Sequence, residues 1–480
     1  MNWLNLSIAS YVIFSVLLGV YAGRKVKSSR DYVIAGKHLP FSIATATIIS
    51  SWFGASSVLG SSGKFIRDGV IGIIMDPFSA AMCLIAIAIF YARRIYRCNT
   101  VTVGDFFHNH YGEKISILFC FVSAITYIGW IAAQIQAFSL IIDVLSGESI
   151  SHVLSIVISS AVVVTYTMFG GMWSVALTDF LQTTIIICSM IFLSFLIFGK
   201  IHPAEIFHHA QQAHKMDFLR NRSWSEVVAL VSSLLTIPCG LIPQQDVFQR
   251  VNSAKTENTI VASSLTASVL YLILGLCPIV FGYAATILVP DLVTQYAATD
   301  TQMILPEFIL NYTPFLARVL FFGAIVSGLM GTASAGVLAS SVIIAKNLIV
   351  PIFKFPKSDS QLLFTIRSVS VGIGILVVIF NLISNKMILD VITGSFSISC
   401  VFIFVPFSLA LFCPNRANKK VAYFSIATAM LFWATWGIST GNMSASTSIV
   451  GILGSLLGGV IGIFATRYDK KVIYKIHAIQ

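Results

Sequence analysis

Charged residues are scarce in this chain of 480 residues, and the scarcity decides its broad class. Asp, Glu, Lys and Arg together account for 10% of the sequence, whereas hydrophobic residues account for 57% and the mean hydropathy is +0.89. Soluble domains commonly carry about 25% charged residues. The composition therefore excludes a soluble globular protein and predicts a polytopic membrane protein built of helices. In such a protein the net charge of +11 does not indicate nucleic acid as a partner.

Several motifs of enzymes and of ATP-driven machines are also missing. No GxxxxGK[ST] run occurs, which argues against a P-loop, and the predicted loops are too short to hold an inserted soluble domain. The eight cysteines lie mostly in apolar runs without metal-ligand spacing, so we expect buried small side chains rather than disulfides. Paired carboxylates and histidine motifs at membrane depth are absent. We therefore predict no enzyme activity, no organic cofactor and no obligate protein partner.

Apolar runs of roughly 20 residues, the length that crosses a bilayer, predict about thirteen transmembrane helices. The first run has no basic residue before it, so we predict a mature helix rather than a signal peptide. The predicted spans lie near residues 3–22, 39–62, 70–92, 115–143, 153–170, 176–199, 226–245, 258–288, 314–345, 361–384, 387–412, 420–438 and 447–466.

The basic residues are concentrated in alternate loops between these spans. One set of loops holds 21 of the 30 Lys and Arg residues, and the opposite set holds 7. By the positive-inside rule the first set is cytoplasmic. This places the N-terminus outside and the C-terminus inside, and we expect the plasma membrane, here the inner membrane of a bacterium. The His-rich loop 200–225 then lies outside, where its irregular spacing favours a solvated loop over a metal site.

Two predicted spans contain residues that break helices. Residues 50–63 read SSWFGASSVLGSSG, and residues 236–243 read TIPCGLIP. Glycine and serine weaken a helix, and proline removes a backbone donor. Non-helical backbone at membrane depth is tolerated where protein buries it or where it lines a wet cavity. Close helix packing through small residues is the alternative explanation for the first stretch.

The interrupted spans are the second and the seventh, and the charge pattern makes them cross the membrane in opposite directions. Interrupted helices at matching places of two antiparallel halves are typical of secondary transporters with inverted repeats, which bind ions and solute at the free helix ends. We therefore predict one all-α transporter domain over residues 1–480. Residues 39–200 and 226–413 are the two repeats, and residues 1–38 and 414–480 are peripheral.

Three motifs carry a resemblance to a known family. Residues 170–182, GGMWSVALTDFLQ, match the signature GG-x-x-[AS]-V-x-x-T-D-x-x-Q, while residues 248–255 read FQRVNSAK and residues 328–335 read GLMGTASA. Together they are similar to the sodium:solute symporter family. The resemblance implies a LeuT-type five-plus-five inverted repeat with helices 2 and 7 broken. Three further segments most resemble the high-affinity choline transporter branch of that family: SWFGA at 51–55, IPQQ at 242–245 and MILP at 303–306.

The resemblance also implies a sodium ion between spans 2 and 9. The matching positions are Ser50, Phe53, Gly328, Gly331 and Thr332. Sodium prefers oxygen ligands, and a broken helix frees its carbonyl groups to provide them. Position 331 usually carries a hydroxyl in the family and is glycine here, so a water, Ser327 or Ser334 would have to replace it.

Two aspartates lie inside predicted spans. Asp179 is implied by the resemblance to help sodium leave on the cytoplasmic side, although the sequence TDFLQ also suits a helix N-cap. Asp76 is the more unusual, because a carboxylate within a span costs about 2.5–3.5 kcal/mol on insertion scales. Four explanations of Asp76 are open: it pairs with a cationic solute, it titrates as a coupling proton site, it pairs with Arg367 of span 10, or it lies at the interface because span 3 begins later.

The predicted solute site combines residues of several spans. The choline branch is understood to surround a quaternary ammonium with tryptophans, and Trp52 and Trp130 match two such positions. A cation over an indole face gains roughly 0.5–2 kcal/mol, although packing explains a single tryptophan equally well. The third position is Gln244, which could instead hydrogen-bond a solute. Ser57 and Asp76 complete the predicted solute site.

These features predict a sodium-coupled symporter that imports a small organic solute by alternating access. Choline or another quaternary amine is the first substrate, while proline, pantothenate, sugars and carboxylates, with possible coupling to protons, stay open. The expected partners are the solute, sodium and the lipid bilayer. A solute-binding membrane sensor or a channel is the alternative of another class.

Overall fold

The computed structural model describes residues 3–147, 149–218, 224–296, 300–383, 388–440 and 445–467, and helices make up nearly all of them. Within these ranges the sheet-type pairing is limited to one isolated bridge, between Leu39 and Ala254. The predicted all-α class is therefore confirmed. The predicted cytoplasmic tail after Arg467 lies outside the described residues.

The α-helices are numbered along the chain. They are α1 (Trp3–Ala22), α2 (Ser29–Ile34), α3 (Phe41–Trp52), α4 (Ser61–Asp68), α5 (Ala80–Ala86), α6 (Ala92–Arg97), α7 (Val103–Tyr111), α8 (Glu113–Ser146), α9 (His152–Phe198), α10 (Pro203–Gln212), α11 (Trp224–Leu241), α12 (Gln245–Ser253), α13 (Glu257–Leu288), α14 (Asp291–Tyr296), α15 (Ile304–Tyr312), α16 (Phe315–Ile343), α17 (Val350–Phe353), α18 (Asp359–Ile383), α19 (Ile388–Phe402), α20 (Phe404–Phe412), α21 (Lys419–Thr440) and α22 (Ala445–Arg467).

Short turns of tighter or wider helix join several of these elements. They lie at Gly23–Lys25, Ala35–Lys37, Ser56–Gly60, Gly69–Ile73, Ile74–Ser79, Ile87–Tyr91, Thr301–Met303, Ile344–Ile349 and Pro414–Arg416. Three of them lie between α3 and α5, on the two sides of α4, so this part of the chain is not a uniform helix. This irregular backbone is what the serines and glycines of residues 50–63 predict.

The described residues contain nine helical segments that are long and apolar enough to cross a membrane, or up to eleven if each bent pair counts as one span. Thirteen spans were predicted, and the difference arises where the connecting turns are themselves helical. Spans 153–170 and 176–199 belong to the single helix α9, which kinks at Gly171 with φ 53° and ψ −142°. Glycine is required there, because a Cβ atom would lie 2.5 Å from the carbonyl oxygen of Tyr32.

Both predicted helix breaks are present. Helix α3 ends at Trp52, where Phe53 leaves the helical region with φ −79° and ψ 83°. The freed amide of Ala55 donates to Oε1 of Gln134 at 3.0 Å, so the break is satisfied by a neighbouring helix. In the seventh span, α11 and α12 meet at an angle of 58°.

Backbone hydrogen bonds join the start of the first broken span to the end of the second. The amide of Leu39 donates to the carbonyl of Ser253 at 3.0 Å, and the amide of Lys255 donates to the carbonyl of Leu39 at 3.0 Å. Further along, Nε of Arg250 donates to the carbonyl of Thr47 at 3.1 Å. Three hydrogen bonds therefore connect the segments that contain α3 and α12.

Helix α16 forms the centre of the bundle and is buried over nearly its whole length from Phe321 to Ile343. It packs against α3, α8 and α9. Its small residues let neighbouring backbones approach closely, which is the usual form of helix association in membranes. The run GLMGTASA is the part of α16 that faces the first break.

Candidate solute and ion site

A small cavity lies where the first break meets α8, α11, α13 and α19, and we call it the central cavity. Its volume is about 30 Å³, which is room for about one water molecule and far below the 300–1,000 Å³ of typical ligand pockets. Its lining consists of Trp52, Gly54, Ser56, Met75, Asp76, Ala80, Trp130, Gln134, Ile237, Leu241, Tyr271, Thr332, Ile392 and Phe396. The site must widen to take an organic solute.

The carboxylate of Asp76 faces the central cavity and is buried. Its Oδ2 lies 2.6 Å from the hydroxyl of Ser56 and 2.9 Å from that of Ser57, and its Oδ1 lies 2.8 Å from the hydroxyl of Tyr271. Hydroxyl donors stabilise a carboxylate without neutralising it. In the part of the chain that the structure describes, no Lys, Arg or His pairs with Asp76.

The suggested pairing of Asp76 with Arg367 is not present. Nη2 of Arg367 instead contacts the carbonyl of Phe169 at 3.4 Å. The alternative of an interfacial Asp76 is wrong as well, since the side chain is buried among Ser56, Ser57 and Tyr271. Asp76 therefore remains a buried carboxyl group beside the cavity, which suits either a positively charged ligand or a coupling proton.

The two predicted tryptophans line the same cavity as Asp76. The ring of Trp52 lies edge-on to Tyr271, with centroids 6.5 Å apart and planes at 87°. The ring of Trp130 lies 5.8 Å from Phe396 and 5.9 Å from Tyr127. Four aromatic residues thus line the central cavity: Trp52, Trp130, Tyr271 and Phe396.

Gln244 lies outside the lining of the central cavity. It stands at the N-terminus of α12, after the bend, and neither atom of its buried amide has a protein partner among the described residues. Gln134, which was not predicted, lines the central cavity instead of Gln244. A signal for it exists, because Gln134 follows Trp130 by four residues on α8 and so lies on the same face. Ser57 contacts Asp76 and Tyr271 behind the cavity wall.

The predicted ion-binding residues converge between the first break and α16. Oγ1 of Thr332 donates to the carbonyl of Ser50 at 3.2 Å. A Cβ atom on Gly328 would collide with the carbonyl oxygen of Phe53. The backbone of α16 therefore lies directly against the two carbonyls that the resemblance implies as sodium ligands.

The hydroxyl of Ser50 occupies the space beside Gly331. A Cβ atom at position 331 would collide with Oγ of Ser50, and this Oγ also lies 3.0 Å from Oε1 of Gln182. Of the suggested substitutes, Ser327 is bonded to Tyr11 at 2.6 Å. Ser334 donates to the carbonyl of Gly331 at 3.0 Å. Ser50 is thus the hydroxyl that stands nearest the position that glycine leaves empty.

The donor set fits sodium. Hydroxyl, carbonyl and amide oxygens of Ser50, Thr332 and Gln182 meet in one place, and such neutral oxygens suit a hard monovalent cation. Within the described ranges, no cluster of three His, Cys, Asp or Glu residues could hold another metal.

Asp179 lies inside α9, one helical turn before Gln182. It is buried, and neither of its carboxylate oxygens has a hydrogen-bond partner among the described residues. The N-cap alternative is wrong, because Asp179 lies eight residues beyond the kink at Gly171, in continuous helix. An unpaired carboxylate next to the predicted ion site is compatible with a role in cation release, which stays a prediction.

A second polar cluster lies beyond the second break and was missed at the level of sequence. Oδ1 of Asp246 accepts from the hydroxyl of Tyr127 at 2.7 Å, and Oδ2 lies 4.0 Å from Nη1 of Arg250. All nine residues of α12 are buried. The motif FQRV could have drawn attention to Arg250, because a buried arginine requires acceptors, but nothing in the sequence indicates Tyr127 as its neighbour.

Comparisons with known proteins agree with this geometry. The family model described as "Sodium:solute symporter family" matches residues 32–428. High-affinity choline transporter 1 of Drosophila melanogaster is 24% identical over 386 residues, which are 78% of this chain and 61% of that protein. The osmoregulated proline transporter OpuE of Bacillus subtilis is 24% identical over 504 residues, covering 99% of this chain and 97% of that protein.

The fold is similar to that of a solved Na+-coupled sialic acid symporter in a substrate-bound, outward-open state. The TM-score is 0.83 at 18% sequence identity, and the match covers 96% of this chain and 97% of the other. The LeuT-type fold predicted from the two broken spans is thereby confirmed, and so is a multi-pass membrane protein. The family model covers far more than half of the sequence, so the chain belongs to the sodium:solute symporter family.

Proposed function

We propose that this protein is a sodium-coupled symporter that imports a small organic cation, with choline or a related quaternary amine as the first candidate. The observation that carries the proposal is the buried carboxylate of Asp76, which shares the central cavity with Trp52, Trp130, Tyr271 and Phe396. No basic side chain of the described residues pairs with it. A cationic solute would supply the missing positive charge.

The aromatic lining supports the same ligand class. A quaternary ammonium cannot donate hydrogen bonds, so aromatic faces and a nearby carboxylate are the groups that recognise it. The central cavity offers both on different helices, with Trp52 on α3, Trp130 on α8 and Asp76 between α4 and α5. Closure of these helices around a solute would bury the charge on all sides.

Sodium would bind at residues that flank the solute-binding Trp52. Ser50 and Phe53 flank Trp52 in the chain, and Thr332 both contacts the carbonyl of Ser50 and lines the central cavity. An ion that orders residues 50–53 therefore also places the ring of Trp52, so each ligand would increase the affinity for the other by the same factor. The hydroxyl of Ser50 would supply the oxygen that Gly331 lacks.

Import requires the orientation expected from the basic loops, with the N-terminus outside and the C-terminus in the cytoplasm of a cell whose plasma membrane holds the protein. The two repeats 39–200 and 226–413 would rock against each other, and Asp179 would draw sodium toward the inner side. An inward sodium gradient drives this step, since one charge crossing 100 mV supplies roughly 2.3 kcal/mol.

Proline is a second candidate substrate. The similarity to the osmoregulated proline transporter extends over 99% of this chain, more than for the choline transporter. A zwitterion would place its ammonium group by Asp76 and would need a donor for its carboxylate, for which Gln134 is available in the lining. Anionic solutes without an ammonium group fit less well beside Asp76, and sugars leave its charge without a counterion.

Uptake by proteoliposomes tests the proposal. We expect radiolabelled choline or proline to accumulate when sodium is high outside, and not when potassium replaces it. A proton gradient without sodium serves as the second condition. Accumulation that is indifferent to both gradients would exclude coupled transport, and solute binding without any flux would indicate a sensor. Flux that only dissipates a solute gradient would indicate a channel.

A further inference from the structure

A cleft much larger than the central cavity lies beside the peripheral helix α1, between it and helices α8, α9 and α16. We call it the lateral cleft. Its volume is about 1080 Å³, and none of its lining residues lines the central cavity. The transport mechanism proposed above does not use the lateral cleft. It is large enough for a ligand of more than drug size.

In its second half, α1 approaches α9 closely. There a Cβ atom on Gly19 would lie 2.6 Å from Oγ of Ser174, and one on Gly23 would lie 2.8 Å from the carbonyl oxygen of Phe169. The cleft is lined by residues of the first half, from Leu4 to Ile13. The first half carries larger side chains, of which Leu4 and Ile8 are buried against the bundle and also line the cleft.

The lining changes from polar to apolar along the helices. Asn5 lies at the start of α1 and Arg318 at the start of α16, whereas Val12 and Val326 line the cleft seven and eight residues further along. At 1.5 Å per residue the two ends lie roughly 10–12 Å apart. One leaflet of a bilayer has about 15 Å of hydrocarbon. The cleft thus matches the shape and the polarity of a lipid in one leaflet.

Arg318 gives the polar end its charge. Among the described residues no other charged side chain lines the cleft, and Arg318 forms no ion pair with any of them. Its Nε donates to the carbonyl of Thr313 at 2.9 Å, which fixes the base of the guanidinium. A guanidinium has five N–H donors and binds phosphate through two parallel hydrogen bonds. The remaining donors of Arg318 are suited to an anionic headgroup.

We propose that the lateral cleft is a phospholipid site, in which an acyl chain lies between α1 and α16 and the phosphate binds Arg318. The charge at one end favours a phospholipid over a neutral lipid, and the depth of the apolar part requires a long chain. The site reaches the ion-binding region through α16, since Ser327, which is bonded to Tyr11 of α1, adjoins Gly328. The proposal does not depend on which solute the protein carries.

Native mass spectrometry of the purified, delipidated full chain tests this site, with phosphatidylglycerol and oleate titrated separately. We expect one tightly bound phosphatidylglycerol, and Arg318→Gln should weaken its binding about tenfold by removing a charge-assisted contact. Arg67→Gln is the matched control, because Arg67 lies outside by the same charge pattern and contacts Asp68 rather than the cleft. Equal effects of the two substitutions would overturn the proposal.

A second pair of variants tests the apolar part without touching a charge. Ala9 lines the cleft, whereas Ser10 is its exposed neighbour on α1 and does not. Ala9→Trp should fill the cleft and abolish tight binding, while Ser10→Trp should leave it intact. Unchanged binding in Ala9→Trp would exclude this location for the lipid. Oleate that binds as tightly as phosphatidylglycerol would show that a fatty acid, not a phospholipid, is the ligand class.

Discussion

Both interrupted spans contain a helix break, but the two breaks differ in how well their polar side chains are hydrogen-bonded. At the first break every serine makes a hydrogen bond; the serines are Ser50, Ser51, Ser56, Ser57, Ser61 and Ser62. At the second break many buried polar atoms have no protein partner among the described residues; they belong to Gln244, Gln245, Asp246, Gln249, Arg250 and Asn252.

From this difference in hydrogen bonding we infer different functions for the two breaks. A fully bonded stretch is held in one geometry, which suits a site that must recognise a ligand. Buried donors and acceptors without a protein partner need water or a ligand to bond to, so α12 is suited to a segment that becomes hydrated. We expect α12 to reach water when the protein opens toward the cytoplasm, and the bonds that join Asp246 to Tyr127 and Arg250 to Thr47 to keep it closed until then.

The largest expected effect concerns the charge at the first break. Asp76→Asn keeps the shape and one accepting oxygen but removes the negative charge and replaces the other oxygen by an NH2 group. Removing one partner of a buried charge pair costs about 3–5 kcal/mol, so the affinity for a cationic solute should fall roughly 100-fold or more. Solute-dependent thermal stabilisation of the purified protein measures this affinity without requiring transport.

The control for this experiment is Asp68→Asn, which removes an exposed carboxylate that contacts Arg67. It should leave solute affinity unchanged. If Asp76→Asn binds the quaternary amine as tightly as the unmodified protein, Asp76 is part of the scaffold at the first break and the cation hypothesis fails.

The next effect concerns the ion pair of the second break. Arg250→Met should destabilise the closed protein by about 3 kcal/mol, because Asp246 then stays buried without its counterion. The double variant Asp246→Asn with Arg250→Met should recover much of this loss, since neither charge remains. Thermal unfolding in detergent measures both. If the double variant is as unstable as Arg250→Met alone, the loss of stability comes from the missing bond between Arg250 and Thr47 and not from the ion pair.

A smaller effect concerns the missing hydroxyl of the ion site. Gly331→Ser should collide with Oγ of Ser50, and overpacking of this kind costs about 1–3 kcal/mol. Adding Ser50→Gly should relieve the collision and move the hydroxyl from α3 to α16. We expect sodium-dependent thermal stabilisation to be lost in the single variant and regained in the double one.

Gly372→Ser is the matched control, because a Cβ atom at Gly372 meets nothing within 4 Å. If the double variant stays insensitive to sodium while Gly372→Ser responds normally, the hydroxyl of Ser50 does not substitute for a side chain at position 331.

Local signals made the backbone of both breaks predictable. Glycine, serine and proline act on the residues next to them, so TIPCGLIP and SSWFGASSVLGSSG identify interrupted spans without any knowledge of the fold. The ion-binding positions were predicted from the resemblance to the family, at residues 50–53 and 328–332. Asp76 was predicted because a carboxylate is unusual inside an apolar run, whereas Trp52 and Trp130 were predicted because they match positions of the choline branch.

The rest of the site depends on which face each helix turns inward, and apolar spans do not reveal this. Tyr271 and Phe396 lie in helices that are apolar on all sides, so no periodicity indicates that they line the cavity. Gln244 was placed in the site by its position in a motif, but the bend of 58° after α11 carries it away. Four polar residues of α12 after Gln245 have buried atoms without a protein partner among the described residues, and they became informative once their burial was known: Asp246, Gln249, Arg250 and Asn252.

The smallest expected effect concerns the aromatic side of the first break. Trp52→Leu removes the indole face but keeps an apolar side chain, so the affinity for choline should fall about 3- to 30-fold, the loss of roughly 0.5–2 kcal/mol of cation–π attraction. The neutral isostere 3,3-dimethyl-1-butanol has the same shape without the charge and corrects for the cavity that the substitution creates. Trp173→Leu serves as a control, since Trp173 contacts Lys25 away from the central cavity. Equal losses for choline and the neutral alcohol would show that Trp52 packs against the solute without recognising its charge, which would leave Asp76 alone to do so.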